Sequence, residues 1–208
     1  MLTLDTSLTF LGISILLSLS PGPDNVFVLM QSATHGCKAG LLVTLGLCTG
    51  LLGHTAAVAL GLAAILAASS TAFTVLKLAG AAYLAYLAWG ALRAPVGPLS
   101  SGSAAELKPW RLYGRGVVMN LSNPKVGLFF LAFLPQFVRS EAGPVALQVI
   151  SLGGLFILAA LLVFGAIAWF AAWVGAWFQN SMRAQRALNL SAAAIFVGLA
   201  ARLAWSEK

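Results

Sequence analysis

The chain has 208 residues, of which 60% are hydrophobic and 8% are charged. Soluble domains carry about 25% charged residues, so this composition excludes a soluble protein and predicts a membrane protein. The net charge of +7 does not indicate nucleic-acid binding. Most of the basic residues lie in short loops between apolar segments, where they act as signals of membrane orientation.

Six apolar segments are long enough to cross a bilayer, because a helical span needs roughly 20 residues. They cover residues 8–33, 39–67, 72–92, 116–138, 145–178 and 186–205. The first basic residue is Lys38, so the first segment lacks the basic start of a signal peptide and is expected to remain in the protein. The fifth segment exceeds one crossing and is expected to tilt or to begin in the interface.

The basic residues in the loops and near the ends of the spans are divided unevenly between the two sides of the membrane. One set of alternate loops contains Lys38, Arg93, Lys108, Arg111, Arg115, Arg183 and Arg186, and the opposite set contains Arg139, Arg202 and Lys208. The positive-inside rule places the larger set in the cytoplasm. Both termini are therefore predicted to be periplasmic.

A segment rich in Pro, Gly and Ser, residues 94–103, divides the chain into two halves of three spans each. The prediction is one transmembrane domain over 1–208, with a first repeat over about 1–93, a cytoplasmic linker over about 94–114 and a second repeat over about 115–208. Because each half has an odd number of spans, the second half enters the membrane from the opposite side. The predicted fold is an all-α membrane protein whose six transmembrane helices form two inverted three-helix repeats.

Helix-breaking residues interrupt spans one and four. The break residues are Pro21, Gly22 and Pro23 in the first span and Pro124 in the fourth. Each span is expected to restart as a half-helix, because proline lacks an amide donor and favours the first turn of a helix. Asn123 is a suitable N-cap for the second half-helix. Broken helices persist in hydrocarbon mainly where they line a polar cavity, so paired breaks in two halves predict a transport site.

Four polar residues at the breaks form the predicted substrate and proton site. Asp24 is the one acid within an apolar segment, and Lys125 is a cation at the second break. Lys125 and the positive N-terminal ends of the half-helices suit an α-carboxylate, whereas Asp24 suits an ammonium group. Asn25 and Asn123 add neutral hydrogen bonds. Desolvation favours a neutral carboxyl group, so Asp24 is also the candidate for proton coupling.

Some alternatives stay open at this point. Asp24 and Lys125 could instead form a structural ion pair, although buried pairs often repay little of their desolvation energy. His54, in the middle of the second span, fits a proton path or a hydrogen-bonded packing role equally well. The alternative functions are a permease for inorganic or metal ions and a membrane-embedded enzyme. With two histidines in the chain, we expect no metal site, no cofactor and no enzyme activity.

Two further patterns predict helix packing. Gly46 and Gly50 form a GxxxG pair in the second span, which indicates close approach of another helix. Trp169, Trp173 and Trp177 recur every four residues and so share one helical face. We interpret that face as facing lipid or the bundle core, with a partner subunit as the alternative.

Several motifs together resemble those of the LysE/RhtB amino-acid exporters. They occupy residues 18–25, the glycines from Gly36 to Gly50, residues 78–84, residues 116–125 and residues 133–138. The resemblance covers essentially the whole chain in the expected order. It implies a multi-pass bacterial inner-membrane protein that exports amino acids by proton antiport, closer to the homoserine, threonine and leucine exporters than to those for lysine and arginine. The implied partners are an amino-acid substrate, protons and the bilayer, and a homo-oligomer is left open.

Overall fold

The structure, a computed structural model, describes residues 2–68, 70–93 and 108–205. Every secondary-structure element in these ranges is helical, which confirms the prediction of an all-α protein. The α-helices are α1 (Leu4–Leu19), α2 (Pro23–His35), α3 (Cys37–Ala68), α4 (Ser70–Arg93), α5 (Pro109–Leu121), α6 (Pro124–Leu128), α7 (Val145–Asn180) and α8 (Met182–Trp205).

Within the described residues, three helices are long and apolar enough to cross a membrane, or up to five spans if each bent helix pair counts as one. The three are α3, α7 and α8, and the bent pairs are α1 with α2 and α5 with the segment that follows it. Helix α4 covers the third predicted span with 24 residues, about 36 Å at 1.5 Å per residue. Its crossing of the membrane, and the inverted repeat, remain predictions.

The first break separates α1 from α2, whose axes differ by 64°. Pro23 occupies the first turn of α2, where its missing N–H would have had no helical partner. Asn25 closes the break from the other side, because its Nδ2 donates to the Ser18 carbonyl oxygen at 2.7 Å. That carbonyl is one of those at the end of α1 that lack a partner within the helix.

The second break separates α5 from α6 and bends the span by 48°. The Asn123 side chain accepts a hydrogen bond from the Lys125 backbone amide at 3.0 Å, which confirms it as the N-cap. The chain continues through a π-helical turn, Phe129–Phe133, and a 3-10 turn, Leu134–Phe137. Pro135 explains the change of helix type, since it cannot donate to the carbonyl four residues earlier and its ring clashes with that group.

Helix α3 packs against α5 and α7, and glycines allow these close approaches. A methyl group on Gly116 of α5 would lie 3.1 Å from the Gly46 Cα, and one on Gly50 would lie 2.7 Å from the Asn120 side chain. The GxxxG pair therefore marks a helix contact, as predicted. On the other side of α3, a methyl group on Gly153 of α7 would overlap Thr55.

An aromatic cluster fills the core between α1, the π-helical turn and α7. Phe129 and Phe133 stack with ring centroids 5.0 Å apart, and Phe10 meets Phe137 edge to face at 5.1 Å. Phe156 of α7 contacts Phe129 at 5.3 Å. Because these rings are buried, they fix the segment after the second break against the first half of the chain.

Two sequence predictions fall partly outside the described residues. Of the predicted linker, residues 94–107 are not described, and α5 begins at Pro109, within the last residues assigned to the linker. The boundary between the two repeats stays a prediction. Trp169 is 73% exposed, consistent with a lipid-facing position, whereas the side chains of Trp173 and Trp177 lie outside the described set.

Candidate functional site

The two helix breaks meet in the interior of the protein. The Asn123 Nδ2 atom donates a hydrogen bond to Asp24 Oδ2 at 2.9 Å, and the two residues are only 5% and 2% exposed. Lys125 lies against the first break, since a methyl group on Gly22 would be 3.1 Å from its Nζ atom. The fold therefore brings together Asp24, Asn123 and Lys125, three of the four residues that the sequence predicts to form the site.

Lys125 reaches from the second half of the chain to the end of α1. Its Nζ atom donates to the carbonyl oxygens of Ser20 at 3.1 Å and Leu17 at 3.4 Å, and the residue is 8% exposed. Carbonyl groups at a helix C-terminus lack intrahelical partners and form the negative end of the helix dipole. A cation is therefore favoured there, and Lys125 stabilises the first break from the other half of the chain.

Asp24 and Lys125 do not form the direct ion pair that the sequence left open. Within the described residues, the ammonium group bonds to backbone carbonyls and the carboxylate accepts from Asn123. The Asp24 Oδ1 atom is buried and has no hydrogen-bond partner among the residues that the structure describes. Buried polar atoms without partners are rare and often mark a functional group or a water site, so this oxygen is available to a proton or to water.

A cavity of about 490 Å³ lies beside the breaks, between α2, α4, α6 and α8. This is the size range of small-molecule sites. Asn123 and Lys125 line one wall, and Tyr83, Gln185 and Asn189 contribute polar groups from α4 and α8. Asp24 is not part of the wall, because it lies behind Asn123. Asn123 therefore connects the buried carboxylate to the cavity.

The remaining predicted residues occupy other places. Asn25 is not part of the cavity wall, and its amide closes the first break. His54 also lies outside the cavity, with Nε2 3.2 Å from the Asn120 carbonyl oxygen and its ring 5.7 Å from that of Phe130. It thus contacts both sides of the second break. Within the described residues, no group of three or more His, Cys, Asp and Glu side chains could hold a metal ion.

Sequence reasoning did not single out the polar side chains that α4 and α8 contribute to the cavity. Gln185 is 6% exposed, and Asn189 follows it by four residues on the same face of α8. A usable signal existed, since two amides spaced one helical turn apart at the start of an apolar segment form a polar stripe. Tyr83 of α4 gave a weaker signal, because tyrosine is common at membrane interfaces.

The apolar helices, the paired bends and the buried polar cluster beside a cavity together define a membrane protein of the transporter class. Residues 15–207 match the family described as LysE type translocator, and the chain belongs to this family. The resemblance drawn from the motifs is thereby confirmed, and the protein is a membrane transporter rather than an enzyme.

The similarity to known proteins extends over nearly the whole chain. The chain is 33% identical over 204 residues to proteins named homoserine/homoserine lactone efflux protein in Salmonella typhimurium and Salmonella typhi, with 98% of both chains covered in each case. An uncharacterised membrane protein of Pseudomonas aeruginosa is 32% identical over 193 residues, covering 89% of this chain and 88% of that protein. No solved structure matches the chain.

Proposed function

We propose that this protein is a bacterial inner-membrane secondary transporter that exports small neutral amino acids, of the homoserine, threonine or leucine kind, in exchange for protons. The observation that carries the proposal is the hydrogen bond between Asn123 and Asp24 beside a cavity that Asn123 and Lys125 line. The names of the Salmonella relatives, at 33% identity, support an amino-acid substrate.

The wall of the cavity at the breaks suits the α-carboxylate of an amino acid. Lys125 lines that wall, and its Nζ atom is held by two neutral carbonyl oxygens at 3.1 and 3.4 Å. A carboxylate entering the cavity offers this ammonium group a full negative charge, whereas the carbonyl oxygens carry only partial charges, so its bond to Lys125 is shorter and stronger. The N-terminus of α2, at Pro23 in the same wall, adds a partial positive charge.

Asp24 suits the coupling proton. Its ionised form places a negative charge directly behind Asn123, where the surrounding low dielectric strengthens attraction for a substrate ammonium group. Protonation removes that attraction. Substrate and proton therefore compete for the same carboxylate, which is the requirement for exchange of one against the other. The geometry favours an effect of Asp24 through its charge, because direct contact with an ammonium group would require Asn123 to move.

The order of helix contacts supports two inverted repeats. Helix α3 packs against α5, α7 packs against α1, and α4 packs against α8. If α1, α3 and α4 are exchanged with α5, α7 and α8, the contact of α3 with α5 becomes that of α7 with α1. The contact of α4 with α8 is unchanged by the exchange. Six spans with both termini periplasmic are part of the proposal. Ala91 at the end of α4 and Gln185 at the start of α8 line the cavity. In the proposed topology, these helix ends face the cytoplasm, where an exporter collects its substrate.

Tolerance and export assays test the proposed function. We would overproduce the protein in a bacterium sensitised to toxic amino acids and challenge it with homoserine, threonine, leucine, lysine, arginine and a metal salt. The proposal predicts raised tolerance and faster efflux for one or more of the neutral amino acids. Raised tolerance restricted to lysine, arginine or the metal salt would contradict it.

A further inference from the structure

We propose that Gln185 and Asn189 form a subsite that binds the substrate side chain and selects side chains able to hydrogen-bond. This inference rests on the proposed export of small amino acids and assigns residues to its selectivity. Both residues line the 490 Å³ cavity. They lie four residues apart in α8, which places them about 6 Å apart along one helix face.

The cavity has polar groups on two separate walls. Asn123 and Lys125 lie at the helix breaks, and the two amides lie on α8. Apolar side chains from other elements, including Val26, Leu87 and Phe196, complete the lining. An amino acid also has two chemically different parts. If its α-carboxylate and ammonium group lie at the breaks, its side chain is directed towards α8.

A carboxamide buried in such a position lowers the stability of the protein unless it has hydrogen-bond partners. Gln185 is 6% exposed, and both residues have interactions within the protein. A carboxamide has two N–H donors and an oxygen with two lone pairs, so it can bond to the protein and to a substrate group at the same time. A hydroxyl group both donates and accepts, and two neighbouring amides can satisfy both of its bonding modes.

An apolar side chain of the same shape would fill the space but bind less well. It would displace water from the two amides without replacing the hydrogen bonds. Sites built to bond a hydroxyl group reject the analogue that lacks it far more strongly than an apolar pocket rejects an added hydroxyl. The subsite therefore favours small amino acids with a hydroxyl or similar group over aliphatic ones.

Isosteric substrate pairs test this inference. In proteoliposomes, we would measure how strongly each of four amino acids competes with the exchange of labelled substrate. The four form two pairs, homoserine with norvaline and threonine with valine, and in each pair a methyl group replaces the hydroxyl group. We expect the wild type to prefer the hydroxyl member at least about tenfold. Gln185→Met and Asn189→Leu nearly preserve shape, and each should lower this ratio severalfold. The double variant should bring it close to one while norvaline is still carried.

A matched control is Ser191→Ala, because Ser191 is an exposed α8 residue whose hydroxyl donates to the Ala187 carbonyl oxygen at 2.8 Å. It should keep the wild-type ratio. Equal transport of both members of each pair by the wild type would overturn the subsite, and this result requires no variant. An unchanged preference for the hydroxyl member in the double variant would also overturn it. If the wild type carries leucine but no member of either pair, the subsite is wrong while amino-acid export stands. If it carries no neutral amino acid at all, the proposed export function is wrong.

Discussion

Asn123 donates a hydrogen bond to Asp24 at 2.9 Å, although 99 residues separate them in the chain. The other side-chain atom of the amide, Oδ1, accepts from the Lys125 backbone amide at 3.0 Å. One carboxamide therefore connects the start of α2 in the first half of the chain to the start of α6 in the second. Any movement of one break relative to the other must change this bond.

Replacing Asn123 by alanine should destabilise the protein. The change leaves a buried carboxylate oxygen without its donor, worth about 1–3 kcal/mol, and removes an N-cap worth about 1 kcal/mol. Thermal unfolding in detergent would measure the loss. Ser122→Ala is the control, because Ser122 is exposed and its hydroxyl donates to the Val118 carbonyl oxygen of α5, the helix that it follows. Equal melting temperatures for the two variants would contradict the role given to Asn123.

Two glycines in α5 should respond oppositely to alanine. A methyl group on Gly116 would overlap the Val43 carbonyl oxygen, whereas one on Gly114 would have no atom of the described residues within 4 Å. Gly116→Ala forces α3 and α5 apart, and overpacking of this kind costs about 1–3 kcal/mol. Gly114→Ala should be neutral or stabilise by up to about 1 kcal/mol. Thermal unfolding of both variants in the same detergent measures the difference in stability. Similar stabilities would show that α3 and α5 do not pack closely at Gly116.

The two breaks and their local structure were predictable from sequence, because proline and an N-capping asparagine act within a few residues. Pro23 and Pro124 open half-helices where expected, and Asn123 caps the second. The GxxxG contact was predictable for the same reason, since Gly46 and Gly50 share one face of a single helix. In each case, the determining residues are close in the chain.

The arrangement of the site was less predictable, because it depends on which distant residues the fold brings together. Asp24 and Lys125 have opposite charges, so a direct pair was the simplest alternative to a binding role. Instead, the Lys125 ammonium group donates to carbonyl oxygens at the end of α1, and the Asp24 carboxylate accepts from Asn123. The second polar wall, with Gln185 and Asn189, was missed because neither amide lies at a break.

His54 should tolerate replacement by glutamine. The structure gives it a hydrogen bond to the Asn120 carbonyl oxygen at 3.2 Å and a ring contact with Phe130. Glutamine can keep the donor, so His54→Gln should retain most transport, whereas His54→Leu loses a bond worth about 0.5–1.5 kcal/mol. Transport per molecule of membrane-inserted protein is the measurement. Loss of proton-driven transport in His54→Gln with full abundance would place His54 on the proton path instead.

Lys125→Met should weaken substrate capture, in addition to any effect on folding from the loss of its bonds to the Ser20 and Leu17 carbonyl oxygens. Loss of a charge-assisted bond to a carboxylate costs about 1.5–3 kcal/mol, roughly a tenfold to hundredfold rise in the apparent substrate Kd. Substrate-dependent thermal stabilisation would measure binding separately from abundance. If Asp24 and Lys125 were only an ion pair, the double variant Asp24→Asn with Lys125→Met would recover yield and transport. We expect no recovery of transport.

The assignment of Asp24 as the proton-binding group is tested most directly by Asp24→Asn in proteoliposomes, with and without an imposed pH gradient. Asparagine keeps the shape of the side chain and removes its titratable proton. In the wild type, a gradient with the proton-rich side opposite the substrate should accelerate transport over simple exchange. We predict that Asp24→Asn still exchanges labelled for unlabelled substrate, with reduced affinity, but shows no acceleration by the gradient. Wild-type acceleration in Asp24→Asn would contradict it.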